Sequence, residues 1–349
     1  MDTPAEFMNL NFFLMQSSPI VLSEYWIKLR AYLELMRPAN IVTAFADILA
    51  GYSIAVGVAG AAGVTGAIWK ASVAGVVDAS GEAGAADIST TPEIQGLLWL
   101  LLATFGLYGG GVVCNDFFDA KLDAKERPER PVPSGRTSRM EAGLLGTILL
   151  LTGSLAAFQV NTVSGGLAVL IVLFVLMYDV WAKHDVLWGP LFMGLCRGGN
   201  LLLGASIVPL VLMDVWFLGI IPILYIAAIT LISQGEVHGG SKKAGITSLA
   251  MLGMVFIGLI ALPLSIPEYH LATAVVYLIF LGILILPAFV RAAFNPVPDR
   301  IRFAVKRGVL SLIVLNAVIA SGFAGWTMGI VVLLLLPLSL LLGRLFAVT

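Results

Sequence analysis

Ten stretches of about twenty apolar residues follow one another along this chain, at 38–57, 96–115, 142–160, 164–182, 189–211, 214–233, 246–267, 270–290, 307–325 and 328–346. A helix of that length satisfies its own backbone and spans the hydrocarbon of a bilayer. The runs are continuous rather than alternating, which argues against a transmembrane β-barrel. The predicted fold is therefore all-α, a polytopic transmembrane bundle of nine or ten spans, the last pair short. Composition agrees: 59% of residues are hydrophobic and only 12% charged, too few charges to cover a soluble protein of 349 residues. An ordinary soluble globule, a disordered chain and a nucleic-acid partner are excluded on the same ground.

Basic residues give the orientation. Lys28, Arg30 and Arg37 precede the first span, and Lys121 to Arg139 follow the second. Lys183 follows the fourth, Lys242 and Lys243 the sixth, Arg291 to Arg307 the eighth, and Arg344 lies near the C-terminus. All these fall on one side; Lys70 falls on the other and Arg197 inside a span. Basic loops stay in the cytoplasm, so both termini are expected there, in a multi-pass protein of a bacterial inner membrane. A single membrane domain, 1–349, is expected, with residues 1–37 cytoplasmic or interfacial and 58–95 an external Gly/Ala-rich loop. Phe12 to Val21 reads as an amphipathic segment on the membrane face rather than a signal peptide. Cys114 and Cys196 lie in apolar runs, so no disulfide framework is expected, and His184, His238 and His270 form no zinc pattern.

Chemistry concentrates where the second span meets the cytoplasm, at Asn115-Asp116-Phe117-Phe118-Asp119-Ala120-Lys121-Leu122-Asp123. On a helix Asn115, Asp116, Asp119 and Asp123 share one face. Three carboxylates so placed repel one another and call for positive charge. Hard oxygen ligands suit Mg²⁺, which commonly bridges carboxylates to substrate phosphates. Next come Pro128, Pro131 and Pro133, which block a helix and predict a stiff, extended loop presenting Arg127, Arg130 and Arg136. Arginine forks match phosphate oxygens. Carboxylates, a divalent ion and arginines together describe a diphosphate site.

Asn-Asp-x-x-Asp-x-x-x-Asp followed by Arg-Pro-x-Pro-Ser-Gly resembles the first aspartate-rich motif of the UbiA superfamily of intramembrane prenyltransferases, across about 37–267. The resemblance implies that Mg²⁺, held by Asn115, Asp116, Asp119 and Asp123, binds the diphosphate of a prenyl donor. The allylic C–O bond then ionises and an acceptor, which the sequence does not name, attacks. Donor and membrane lipid are the expected partners. Arg37-Pro38-Ala39-Asn40 is similar to the family's opening of the first span, placing Arg37 and Asn40 with Arg127, Arg130 and Arg136 as substrate contacts. Tyr178 and Lys183 resemble the family's Tyr…Lys pair; the tyrosine ring would steady an allylic cation, and interfacial anchoring is the alternative. Arg197, with Asn200 three residues on, lies within the fifth span, either as a substrate contact or in an ion pair, with Asp179 as its partner.

After the sixth span the family has a second aspartate-rich motif. Here the loop reads Ser233-Gln234-Gly235-Glu236-Val237-His238-Gly239-Gly240-Ser241-Lys242-Lys243, without the paired aspartates, and its wording is similar to the EboC-like subfamily. A second metal site is expected to be weak or absent. Glu236 and His238 are expected to face the acceptor, with Glu236, Asp179 and His238 as alternative bases. The alternative function is a noncatalytic component that binds or helps to translocate a lipid or a metabolite precursor.

Overall fold

A computed structural model describes residues 19–61, 92–237 and 239–346. The external loop, the segment starting at Phe12 and His238 fall wholly or mostly outside these residues. The described chain runs α1 (Pro19–Met36), α2 (Pro38–Ala61), α3 (Pro92–Glu126), α4 (Arg139–Phe158), α5 (Thr162–Val180), α6 (Trp188–Ala205), α7 (Pro209–Val215), α8 (Ile220–Ser233), α9 (Lys242–Ser265), α10 (Leu271–Phe294), α11 (Pro298–Ala324), α12 (Trp326–Leu333) and α13 (Leu335–Leu345). Among the described residues nine helices are long and apolar enough to cross a membrane. Trp188–Ala205, the core of the expected fifth span, is a helix but not one of the nine. It carries Arg197, Asn200 and four glycines beyond its first residues, and α7 joins the following span instead.

Local chemistry sets the boundaries. Ser138 accepts from the Glu141 N–H while Glu141 accepts from the Ser138 N–H, a capping box that starts α4. Asn161 and Ser241 cap α5 and α9 through their side-chain oxygens. α1 carries exposed Tyr25, Trp26, Ile27 and Leu29 beside Lys28 and Arg30, a composition suited to a membrane face. The turn from α1 into α2 is a single residue, Arg37, held at φ +49°, with Pro38 opening the next helix.

α3 is 35 residues long, about 52 Å at 1.5 Å per residue, and so outruns the hydrocarbon. Its surplus at the C-terminal end carries the aspartate motif. Neighbouring helices pack closely where side chains are small. A Cβ at Gly51 of α2 would come within 2.0 Å of the Leu201 carbonyl oxygen of α6. Large apolar side chains such as Leu151, Leu155, Ile257 and Ile283 face outward from α4, α9 and α10. Inside, α2, α3, α5, α6, α8 and α11 enclose a cavity.

Candidate functional site

The cavity has a volume of about 360 Å³. Its walls are apolar: Leu107 and Val112 from α3, Ile171 and Val175 from α5, Ile226 and Ile229 from α8, Val305 and Leu312 from α11. Polar groups gather at two levels. At the mouth stand Arg37, Asn40, Asn115, Arg127, Tyr178, Asp179 and Glu236; deeper lie Thr104, Arg197 and Asn200. Thr104 is eleven residues before Asn115 on one helix, so the two levels are separated by roughly 16 Å.

Beginning one residue past the cavity-lining Asn115, the aspartates of α3 point within an arc of about 60°, as their spacing requires. Each faces a cation. Asp116 Oδ1 accepts from Arg37 Nη2 at 2.8 Å and from Arg130 Nη1 at 3.2 Å. Asp123 Oδ2 accepts from the same Arg130 nitrogen at 2.8 Å. Asp119 is paired with Lys183. Asn115 Nδ2 donates to Asp179 Oδ1 at 3.0 Å, and Asp179 Oδ2 is buried with no hydrogen-bond partner among the described residues. Arg37 holds its place through a left-handed backbone that a non-glycine residue adopts at a cost of order 1–3 kcal/mol, a strain that clusters at functional sites.

The arginine loop is not extended. Residues 128–135 form consecutive turns, closed by Ser134 N–H to Arg130 O at 3.0 Å, Gly135 N–H to Val132 O at 3.2 Å and Thr137 N–H to Pro131 O at 3.2 Å. Proline excludes a helix but is at home in tight turns, and Gly135 supplies the positive φ. The three arginines consequently diverge. Arg127 lines the cavity and Arg130 bridges two aspartates. Arg136 turns away, pairing with Glu34 of α1 and donating to the Glu129 carbonyl at 2.8 Å, where it ties α1 to the loop.

The loop after α8 brings Glu236 to the cavity, where Asn115 and Arg127 from either side of the aspartate motif also arrive. Burial raises the Glu236 carboxyl above its ordinary range, against the opposing pull of Arg127 and Arg302. Arg302 Nε donates to the Glu236 carbonyl at 3.2 Å, and Gly240 N–H donates to Pro296 O at 3.0 Å, pinning the loop to α11 and its approach.

The inner level corrects one expectation and adds a residue. Arg197 is partnered by Asp47, not Asp179: Nη1 stands 3.3 Å from Asp47 Oδ2, and Nη2 donates to Thr43 Oγ1 at 2.8 Å. Asp47 also accepts from Asn200 Nδ2 at 3.0 Å and from Asn316 Nδ2 at 2.6 Å. Arg197 lies over the Tyr108 ring at 5.2 Å. Asp47 escaped the sequence reading because it is one carboxylate in an otherwise apolar run. That rarity was the available signal, since ionisable residues inside spans generally pair or act.

For Mg²⁺ the donor chemistry fits. Asp116, Asp119, Asp123 and Asp179 offer carboxylate oxygens and Asn115 an amide oxygen in one region, and Asp179 Oδ2 is a buried oxygen with no hydrogen bond among the described residues. Among the described residues no three acidic, His or Cys side chains already converge on one point, because Arg130 stands between Asp116 and Asp123.

Comparison with known proteins places this geometry. A digeranylgeranylglyceryl phosphate synthase of Methanosarcina mazei is 32% identical over 187 residues, covering 51% of this chain and 55% of that one. Its counterpart from Ignicoccus hospitalis is 30% identical over 262 residues, covering 73% and 75%. The chain thus spans about half the length of the first relative and three quarters of the second. Among solved structures, one described as a digeranylgeranylglyceryl phosphate synthase superposes with a TM-score of 0.59 at 21% identity, over 84% of this chain and 98% of the other. The apo structure of a UbiA homologue from Aeropyrum pernix gives 0.59 at 18% identity, over 81% and 97%. At those identities the likeness is one of fold. With a match over residues 83–298 in addition, the chain is a multi-pass integral membrane protein and belongs to the UbiA prenyltransferase family.

Proposed function

We propose that the protein transfers a prenyl group from an isoprenoid diphosphate to a hydroxyl acceptor inside the membrane, with Mg²⁺. One observation carries this reading. Three aspartates, matched by Arg37, Arg130 and Lys183, follow Asn115 on α3, and Asn115, Arg37 and Arg127 line the mouth of an apolar cavity. Apolar walls take the donor's hydrocarbon, and the charged mouth takes its diphosphate. The basic-residue bias puts that mouth at the cytoplasmic face, with both termini on the same side.

In this reading Asp116, Asp119 and Asp123 hold the metal, helped by Asn115 and by the buried oxygen of Asp179. Mg²⁺ there supplies Lewis-acid charge that stabilises the leaving diphosphate. Arg37, Arg127, Arg130 and Lys183 bind its oxygens, an electrostatic role that needs no proton movement. The allylic C–O bond breaks and its electron pair leaves with the diphosphate. Tyr178, on the cavity wall, offers its ring face to the carbocation. The acceptor oxygen forms the new C–O bond and its proton passes to Glu236, which is half-buried at the mouth. The family's second aspartate pair is replaced by Glu236 in this loop, so one metal rather than two is proposed. The relatives' names point to a glyceryl phosphate already bearing one prenyl chain as the first acceptor to try.

The test uses purified protein, radiolabelled prenyl diphosphates of several lengths, Mg²⁺, and either that acceptor or a membrane lipid extract. Transfer of label to a new product, lost on chelation, is the expected result. Binding of donor with neither diphosphate release nor product would replace this reading with that of a lipid-binding component.

A further inference from the structure

Resting on the reading just given, we propose that Arg130 couples the two halves of the site, so that Mg²⁺ and diphosphate bind together or hardly at all. The argument begins with what faces what. Asp116 and Asp123 are buried, with 4% and 5% of their surface exposed. A single nitrogen of Arg130, whose side chain is 13% exposed, donates to both. Arg37 completes the partners of Asp116, and Lys183 is paired with Asp119. The three aspartates and three cations therefore neutralise one another before any ligand arrives.

A divalent ion arriving alone has to remove the guanidinium from between two carboxylates. That leaves the guanidinium buried with no anion to face. A diphosphate arriving alone has to draw the same cations toward itself, which leaves three close carboxylates facing an added anion. Either step strands a desolvated charge, which is expensive. When both arrive, the partners are exchanged: carboxylates turn to the metal, and guanidinium and ammonium turn to phosphate oxygens. No charge is left without a partner. A second feature marks the place of exchange. Asp179 is 3% exposed and lines the cavity, and its Oδ2 has no hydrogen-bond partner among the described residues, which leaves one oxygen to face a ligand. Arg130 is the pivot because, among the described residues, it alone is paired with two acidic residues of the motif.

The experiment is calorimetric titration of the full chain in nanodiscs with MgCl₂ alone, inorganic pyrophosphate alone, and each in the presence of the other, corrected for formation of the complex in solution. Each ligand is expected to bind about 100-fold more tightly when the other is present, by the same factor in both directions. Arg130→Gln then moves the two affinities in opposite senses: Mg²⁺ alone binds about tenfold more tightly, because two carboxylates are released, while pyrophosphate with saturating Mg²⁺ binds about tenfold more weakly. A merely structural arginine would weaken both. Should Arg130→Gln fail to fold, Arg130→Gln/Asp123→Asn removes one charge of each sign and is expected to fold with the coupling reduced. Independent binding of both ligands by the unaltered protein, or parallel weakening in Arg130→Gln, overturns the coupling and leaves the site standing. No binding of either ligand in any combination overturns both the coupling and the metal–diphosphate reading.

Discussion

Two ionic clusters of opposite construction border the cavity, through Arg37 in one and Arg197 and Asn200 in the other. Beyond the mouth, on the last turns of α3, Asp116, Asp119 and Asp123 are satisfied chiefly by Arg37, Arg130 and Lys183, charged side chains that can turn to another anion. Deeper, Asp47 faces Arg197 and is also held by the amides of Asn200 and Asn316. Those four residues come from α2, α6 and α11, and Asn200 reaches α3 through Thr104. The amides carry no charge that a ligand could claim. The inner cluster therefore ties four helices together around the cavity, while the outer one, in the proposed reading, exchanges partners. Burial alone does not separate them, since Asp47 is fully buried and Asp116 nearly so. What separates them is the kind of partner.

The largest effect expected is catalytic and lies at the mouth. Asp119→Asn should slow prenyl transfer about a thousandfold, the loss of several kcal/mol of leaving-group stabilisation. It should also remove most Mg²⁺-dependent binding of prenyl diphosphate while the protein stays folded in detergent. Unchanged donor binding with and without Mg²⁺ would break the assignment of the outer cluster. Asp47→Ala should do the reverse. It should destabilise the bundle by about 3–5 kcal/mol, the cost of stranding a buried arginine, read as a lower midpoint on denaturant titration in mixed micelles. A variant of undiminished stability would show that the inner pair is no brace.

A smaller effect is expected at Glu236, the base proposed at the mouth. Glu236→Gln should cost about a hundredfold in turnover, at the lower end of general-base contributions, with little change in donor affinity. The sign of the pH dependence follows from the raised carboxyl. Glu236 must be ionised to take a proton, and burial favours its neutral form, so activity should fall with acidification at a pH above the ordinary glutamate range. Glu236→Gln should abolish that acid limb; a limb that persists assigns the base elsewhere. The smallest effect belongs to Tyr178. Tyr178→Phe should keep activity within a few-fold and Tyr178→Leu should lose about tenfold, since a ring face at a cation is worth roughly 0.5–2 kcal/mol. Equal losses in both variants would point to the hydroxyl instead.

Much of the outer cluster was legible in one stretch of chain. Asn115, Asp116, Asp119 and Asp123 lie on one helix, where spacing decides which side chains share a face. Arg130 and Arg136 looked equivalent in the same loop, yet one bridges two aspartates and the other pairs with Glu34. Their directions come from the turns through 128–135, which depend on contacts the prolines alone do not set. The expected partner of Arg197 was named on the wrong helix for a related reason. Asp179 and Asp47 are both acidic residues of neighbouring spans, and only the packing of α2 against α6 brings Asp47 within 3.3 Å.

By itself, the sequence determined the membrane bundle, because twenty-residue apolar runs have only one state in lipid that satisfies every backbone group. It also determined the aspartate face of α3, because helical periodicity is local. The tertiary structure alone decided which cation meets which carboxylate, that Glu236 and Asn115 line one cavity, and that Asp47 closes the inner cluster. Apart from Arg130 and Asp123, seven positions apart, those relations join residues from fourteen to more than a hundred positions apart, and they follow from how closely the helices can approach. Gly51 against the Leu201 carbonyl is one such approach, and no local pattern in the chain records it.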